Sequence, residues 1–321
     1  MLDYIHWDID PEIAKIGSIA IRYYSLLFVS GLMISFYVLK RFYTEEGIDL
    51  ELLDKLFIYM GVGTILGARI GHCVFYEWFY FKNHLLEIII PFQEINGTFE
   101  FTGFRGLASH GAGIGIILSV ILYAYLNRQN ILSILDKMAI ATPLIGAFIR
   151  VGNLMNSEII GKTTTVSWGF VFEQIDANPR HPTQLYEAFA YLFIFVIIYL
   201  LYRTYSKVIH KGFFAGVFLS LTFTARFFIE FVKENQEHFE QDMTLNMGQL
   251  LSIPYVLTGL FLMVWALKKS KKPILNYFDS ENSFTKYFTG YFDDDYRKQD
   301  NSFLRSDIVN SKKDMLLKAL R

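Results

Sequence analysis

Apolar residues along this chain gather in long runs, and polar residues gather between them. The runs lie at about 18–40, 55–80, 110–127, 132–150, 185–204, 212–233 and 247–268. Each is roughly the 18 to 25 residues that a helix rising 1.5 Å per residue needs to cross a hydrocarbon layer of about 30 Å. The pattern predicts an all-α integral membrane protein of about seven transmembrane helices. Two of the connections, near 81–109 and 151–184, are long and alternate polar with apolar residues in TFEFTGF and SWGFVFE. That period-two alternation predicts short strands in a small extracytoplasmic cap.

The charges between the runs fall on one side. Lys40 and Arg41, then Arg128, then Arg203, Lys207 and Lys211, and finally Lys268, Lys269, Lys271 and Lys272 flank one set of helix ends. An excess of basic residues marks the cytoplasmic side, and an odd number of spans then puts the N-terminus outside and the C-terminus in the cytoplasm. The opening stretch MLDYIHWDIDPEIAKIG is acidic, with no small-residue cleavage site after the first apolar run, so the first helix is expected to be retained. Beyond Lys272 the composition turns polar. Residues 1–272 are read as a seven-helix membrane domain and 273–321 as a flexible cytoplasmic tail.

Composition agrees: 53% of the 321 residues are hydrophobic and only 19% are charged, which requires lipid around the chain. A net charge of −1 gives no electrostatic support for a nucleic-acid partner. Cys73 is the single cysteine, so there is no intrachain disulfide and no thiolate metal site, and its expected role is a small core hydrophobe. No histidine or acidic spacing fits a metal, and no cofactor is expected. Gly63, Gly67 and Gly71 repeat every four residues and predict close helix packing.

Several polar residues sit where they are costly. Arg69, His110, Arg150, Arg226 and Glu230 fall inside or at the edge of predicted spans. A centred charge costs about 2.5–3.5 kcal/mol, so several uncompensated ones would cost on the order of 10 kcal/mol, as much as a whole fold's stability. All lie in the outward halves of their helices, and Tyr24 is expected about six residues deep in the first, roughly 9 Å from its outer end. Arg226 and Glu230 are four apart and share a helix face, which allows an ion pair. Arg69 and Arg150 add further cations at similar depth, and a surplus of cation near headgroups favours a phosphate. The plainer reading of the set is a polar plug of mutual hydrogen bonds. His110, in GLASHGAGIG, reads as either an interfacial histidine or a base; Asn153, Asn156 and Glu158 read as either a cap and turn or a frame for Arg150.

The run R-V-G-N-L-M-N-S-E-I-I-G from Arg150 to Gly161 resembles the signature of the prolipoprotein diacylglyceryl transferase family. The likeness continues in IRYYSLLF, ARIGHCVFYE, HGAGIG, RHPTQLYE, RFFIEF and MGQLLSIP, over about residues 1–270. Ile149 and Ser157 stand where the pattern has glycine, and Thr222 where some members carry tyrosine. The resemblance implies a seven-helix enzyme of the cytoplasmic (inner) membrane. It would transfer diacylglyceryl from phosphatidylglycerol to the lipobox cysteine thiol of prolipoprotein signal peptides, the first step of bacterial lipoprotein maturation.

For that chemistry His110 is the expected base, with Tyr24 as its hydrogen-bond partner or a headgroup contact. The proton transfer from thiol to imidazole is uphill by about two pKa units, roughly 2.7 kcal/mol. Arg150 and Arg226 are expected to grip phosphate, with Glu230 aligning Arg226. Asn153, Asn156 and Glu158 would bind glycerol or fix Arg150, Arg69 would add a phosphate contact, and His181 would stand near the mouth. The rival is a transporter with an outward-facing anionic-solute site, but a solute path needs polar groups in both halves and the inward halves of most helices read as apolar. An intramembrane protease lacks a nucleophilic serine or paired aspartates at depth.

Overall fold

The computed structural model describes residues 4–17, 19–90, 92–95, 98–101, 106–235, 240 and 243–270. The expected tail at 273–321, the end of the TFEFTGF segment and part of the 234–246 loop lie outside the described residues. Among them, seven helices are long and apolar enough to cross a membrane. They are α1 (Tyr23–Glu45), α2 (Leu50–Phe75), α5 (Ser109–Leu126), α6 (Ile131–Met155), α7 (Thr183–Tyr205), α8 (Phe213–Ile229) and α9 (Met247–Lys269). Two single-turn helices, α3 (Trp78–Phe81) and α4 (Leu86–Ile89), follow α2. The fold is the all-α, multi-pass membrane architecture that the apolar runs predict.

Among the described residues there are seven strands, each in a segment outside the seven spans: β1 (Ile5–Trp7), β2 (Glu12–Ile16), β3 (Ile19–Arg22), β4 (Phe92–Ile95), β5 (Thr98–Phe101), β6 (Phe170–Phe172) and β7 (Pro179–Arg180). β5 and β6 fall in the two alternating segments. The N-terminal strands are an addition to the sequence reading: β1 pairs in parallel with β6, which pairs antiparallel with β7. Trp7 fastens this sheet to the bundle by donating its indole N–H to the Leu154 carbonyl at 3.0 Å. The β2–β3 hairpin shortens the first helix, which begins at Tyr23, so Tyr24 lies in its first turn and not six residues deep.

Half of the apolar window of α6 is buried against 17% of that of α9, so α6 is the central helix and its neighbours turn one face to lipid. Glycine sets the closest approaches. A Cβ on Gly67 would come within 2.4 Å of the Gly111 carbonyl, and one on Gly115 within 2.0 Å of the Gly63 carbonyl, so α2 and α5 pack backbone to backbone. Large apolar side chains such as Met33, Tyr37, Ile117, Phe193 and Phe261 cover the outside, as a helix bundle solvated by lipid requires.

The ends of the helices opposite the strands are not wholly apolar, a correction to the sequence reading. Lys137, 4% exposed, pairs with Glu46 at 2.9 Å, and the Tyr202 hydroxyl donates to Glu46 at 2.6 Å. Asp136 accepts the backbone N–H of Gly212 at 2.7 Å and of Ala215 at 2.9 Å, capping the foot of α8. Lys137 and Glu46 neutralise one another, and Asp136 is held by backbone N–H groups.

Candidate active site

At the other end the chain leaves α6 through a tight turn. Ser157 and Ile159 both adopt left-handed backbone, φ 53° and 57°. That conformation is costly for a branched residue, and neighbouring side chains hold it. Gln184 donates to the Glu158 carbonyl at 2.6 Å and Thr183 to the Ile159 carbonyl at 2.8 Å. The turn swings Glu158 back toward α6, where it accepts from Asn153 at 3.2 Å and Asn156 at 3.0 Å. Asn153 in turn accepts from Arg150 Nη1 at 3.4 Å. The amides and carboxylate therefore frame Arg150.

The nearest carboxylate to Arg150 is one the sequence reading quoted but gave no role. Glu187, fully buried in α7, meets Arg150 Nε at 2.8 Å through Oε2 and faces Lys233 Nζ at 3.9 Å through Oε1. Lys233, 2% exposed, also pairs with Glu230 at 3.3 Å. It is placed there by the loop after the turn: Lys162 N–H donates to the Val232 carbonyl at 2.8 Å, and its ammonium to the Phe231 carbonyl at 3.0 Å. The sequence hid Lys233 because a lysine at the close of an apolar run reads as a boundary charge.

Glu230 does not align Arg226 as expected. Helix α8 ends at Ile229, and Glu230 opens a 3-10 turn, Glu230–Val232, which carries its carboxylate to Lys233. Gly248 of α9 makes room for it, since a Cβ there would meet Oε1 at 2.8 Å. Arg226 is half-buried; among the described residues its Nε has no hydrogen-bond partner and no carboxylate pairs with it.

Tyr24 of α1 packs against α6 two residues beyond Arg150: its ring occupies the space that a Cβ on Gly152 would enter, at 2.8 Å. Counted over the buried cluster, Arg150, Arg226 and Lys233 stand against Glu187 and Glu230, a surplus of one positive charge. Such a site favours a monoanion with several acceptor oxygens, as a phosphodiester has.

Of the other expected residues, Arg69 and His181 have partners outside this cluster, and His110 opens α5. The Arg69 guanidinium, 4% exposed, donates to the carbonyls of Glu87 at 2.6 Å and Ile88 at 3.3 Å and lies over the Phe81 ring, so it fastens α3 and α4 to α2. A phosphate contact does not fit that arrangement. His110 is exposed in the first turn of α5, and no hydrogen bond among the described residues joins it to Arg150. The ring of His181 meets the Tyr186 hydroxyl at 3.1 Å, beside Trp168, which donates to the same oxygen at 2.8 Å. Burial holds His181 below the ordinary imidazole range. Next to it Arg180 pairs with Asp176 and Glu234, and its guanidinium holds the Asp176 carboxyl below the usual carboxylate range.

Fold and site together define a multi-pass membrane protein with a cluster of paired charges at one end of its bundle. A family profile described as prolipoprotein diacylglyceryl transferase matches residues 11–265. Curated relatives named phosphatidylglycerol–prolipoprotein diacylglyceryl transferase include proteins of Bacteroides fragilis and Tolumonas auensis. The first is 48% identical over 83% of this chain and 96% of its own length, the second 42% identical over 84% and 100%. A relative from Chloroherpeton thalassium with the same name is 38% identical over 84% of this chain and 96% of its own. The chain belongs to the prolipoprotein diacylglyceryl transferase family and is a transferase.

Proposed function

We propose that this chain transfers the diacylglyceryl group of phosphatidylglycerol to the thiol of a lipobox cysteine in prolipoprotein signal peptides. The observation that carries the reading is the open guanidinium pair: Arg150, anchored by one edge to Glu187, and Arg226, half-buried with an unpartnered Nε. Cations at membrane depth that outnumber their buried carboxylate partners are stabilised by an anionic headgroup, and a guanidinium fork matches two oxygens of a phosphate. The transporter alternative lacks support, because the polar groups at the opposite end are taken up by protein partners.

The reaction is substitution at the glyceryl carbon next to phosphate. The attacking sulfur is the substrate's own. The enzyme therefore supplies a base, a phosphate grip and stabilisation of the charge that grows as glycerol phosphate leaves. His110, exposed at the opening of α5, takes the thiol proton. Arg150 and Arg226 hold the phosphate, with Glu187 and Asn153 fixing Arg150 and Tyr24 contacting the headgroup. Asn153, Asn156 and Glu158 form the polar floor that receives the glycerol. The bundle lies in the cytoplasmic membrane with the Arg150 end and the N-terminus outside, in line with the lysines and arginines at the opposite end.

The test is incubation of the purified protein in phosphatidylglycerol vesicles with a lipobox peptide, followed by mass measurement. A peptide heavier by one diacylglyceryl group supports the reading. An unmodified peptide, with a folded enzyme and both substrates present, sinks it.

A further inference from the structure

Glu187 is fully buried in α7, yet neither of its oxygens accepts a hydrogen bond among the described residues. What stabilises the carboxylate is the charge of its two neighbours: Arg150 Nε stands 2.8 Å from Oε2, and the Lys233 ammonium 3.9 Å from Oε1. A desolvated carboxylate held by charge alone is sensitive to the loss of either cation. The Lys233 ammonium in turn donates to Glu230 at 3.3 Å. Arg150, Glu187, Lys233 and Glu230 thus form a row of alternating charge with no net sum. The backbone fixes the place of Lys233. It bridges Gly161 in antiparallel fashion, flanked by the Lys162 N–H donating to the Val232 carbonyl at 2.8 Å and the Glu234 N–H to the Ile160 carbonyl at 3.1 Å. The segment leaving α8 is therefore strapped to the turn leaving α6. Both also meet α7, the turn through Thr183 and Gln184 and Lys233 through Glu187.

We infer that Lys233 is a positioning residue for the transfer reaction: by taking one side of the Glu187 carboxylate, it leaves the terminal nitrogens of Arg150 to the lipid phosphate. This rests on the phosphate grip proposed for Arg150 above. Glu187 meets Arg150 at Nε, on the stem side of the guanidinium, and no second carboxylate among the described residues pairs with that arginine. Without Lys233 the row keeps two carboxylates and one cation, and Arg150 becomes the sole cation beside Glu187. A guanidinium binds a carboxylate best through two parallel N–H bonds, so Arg150 then turns a terminal nitrogen to Glu187 and withdraws that donor from phosphate. The loss falls on the reaction more than on lipid binding, because negative charge at phosphate grows as the carbon–oxygen bond breaks. Lys233 touches neither substrate and acts through Glu187.

The experiment is steady-state transfer to a lipobox peptide in phosphatidylglycerol vesicles by Lys233→Met, Glu187→Gln, the two together and Arg150→Lys, each rated per folded molecule. Lys233→Met is expected to lower kcat by about 10- to 100-fold with KM for both substrates little changed. Because Lys233 acts through Glu187, the double variant should be no slower than the slower single variant. Losses that multiply in the double variant overturn the proposal. Lys233→Arg keeps the charge and should hold kcat within about threefold of the parent, and a loss as deep as that of Lys233→Met overturns the role of the charge. Full kcat in Lys233→Met, with Arg150→Lys inactive, overturns the role of Lys233 and leaves the arginine grip standing. Full activity in Arg150→Lys overturns the grip itself. If Lys233→Met does not fold, Lys233→Met with Glu230→Gln removes one charge of each sign and keeps the row neutral. The same fall in kcat is expected there, and a normal kcat overturns the proposal.

Discussion

The two ends of this bundle both bury charge, and they differ in whether the charge is finished. At one end Asp136 takes two backbone N–H groups, and Glu46 takes the Lys137 ammonium and the Tyr202 hydroxyl. At the other, Glu187, Arg226, Thr222, Gln184, Asn156 and Ser157 all carry buried polar atoms without a hydrogen-bond partner among the described residues. Desolvated polar groups are normally paired, so a satisfied cluster needs no explanation beyond structure. The other end gathers unpartnered polar atoms on several helices, and the proposed lipid site lies among them. Burial of charge alone does not separate the two cases; the inventory of partners does.

The contrast is open to direct attack. The largest effect is expected from Arg150→Lys, which keeps the charge but loses the fork: transfer to a lipobox peptide, read by mass, should fall by about 100- to 1,000-fold. Next, Lys137→Met leaves the solvent-exposed Glu46 without its cation and should lower unfolding stability in detergent by about 1–2 kcal/mol, with turnover per folded molecule unchanged. The double variant Glu46→Leu with Lys137→Met should recover most of that loss. If it does not, Lys137 and Glu46 are more than a mutually neutralising pair.

A smaller gain is expected from Ser157→Gly. It relieves a positive φ and removes a buried unpartnered hydroxyl, and should raise stability by about 1 kcal/mol in thermal or denaturant unfolding. The smallest effect concerns His181, whose folded pKa is lowered by burial. The neutral ring's contribution is therefore complete above the unfolded imidazole pKa of about 6.5 and is lost as pH falls through the lower folded value. A shallow loss of stability on acidification, absent in His181→Gln, is the expected reading.

Much of the scaffold was legible in the chain. The seven apolar runs became seven helices, and the glycines at 63, 67 and 71 did meet a neighbour's backbone. Strands β5 and β6 showed in their alternation, whereas β1 did not, because its parallel pairing with β6 joins segments far apart and leaves no local mark. The site was legible in its arginines and illegible in its partners. Nothing in the run Arg226–Val232 shows that the α-helix stops at Ile229, and that stop turns Glu230 away from Arg226 and toward Lys233. Arg69 was found at the right depth, but its partners are backbone carbonyls of α4, which a pattern of side chains cannot reveal. Asp136 and Lys137, inside the run at about 132–150, had no place in the sequence reading, because their partners Gly212, Ala215 and Glu46 lie on distant segments.

The Asp136 cap also matters at a distance. Arg226 sits thirteen residues along α8 from Phe213, about 20 Å at 1.5 Å per residue. At that lever length a tilt of about 3° at the foot moves the guanidinium by about 1 Å, enough to spoil the alignment of a reacting pair. The carboxylate that pins the foot of the rod thus sets the aim of its far end, and the position of Arg226 at one end of the helix depends on two backbone hydrogen bonds at the other.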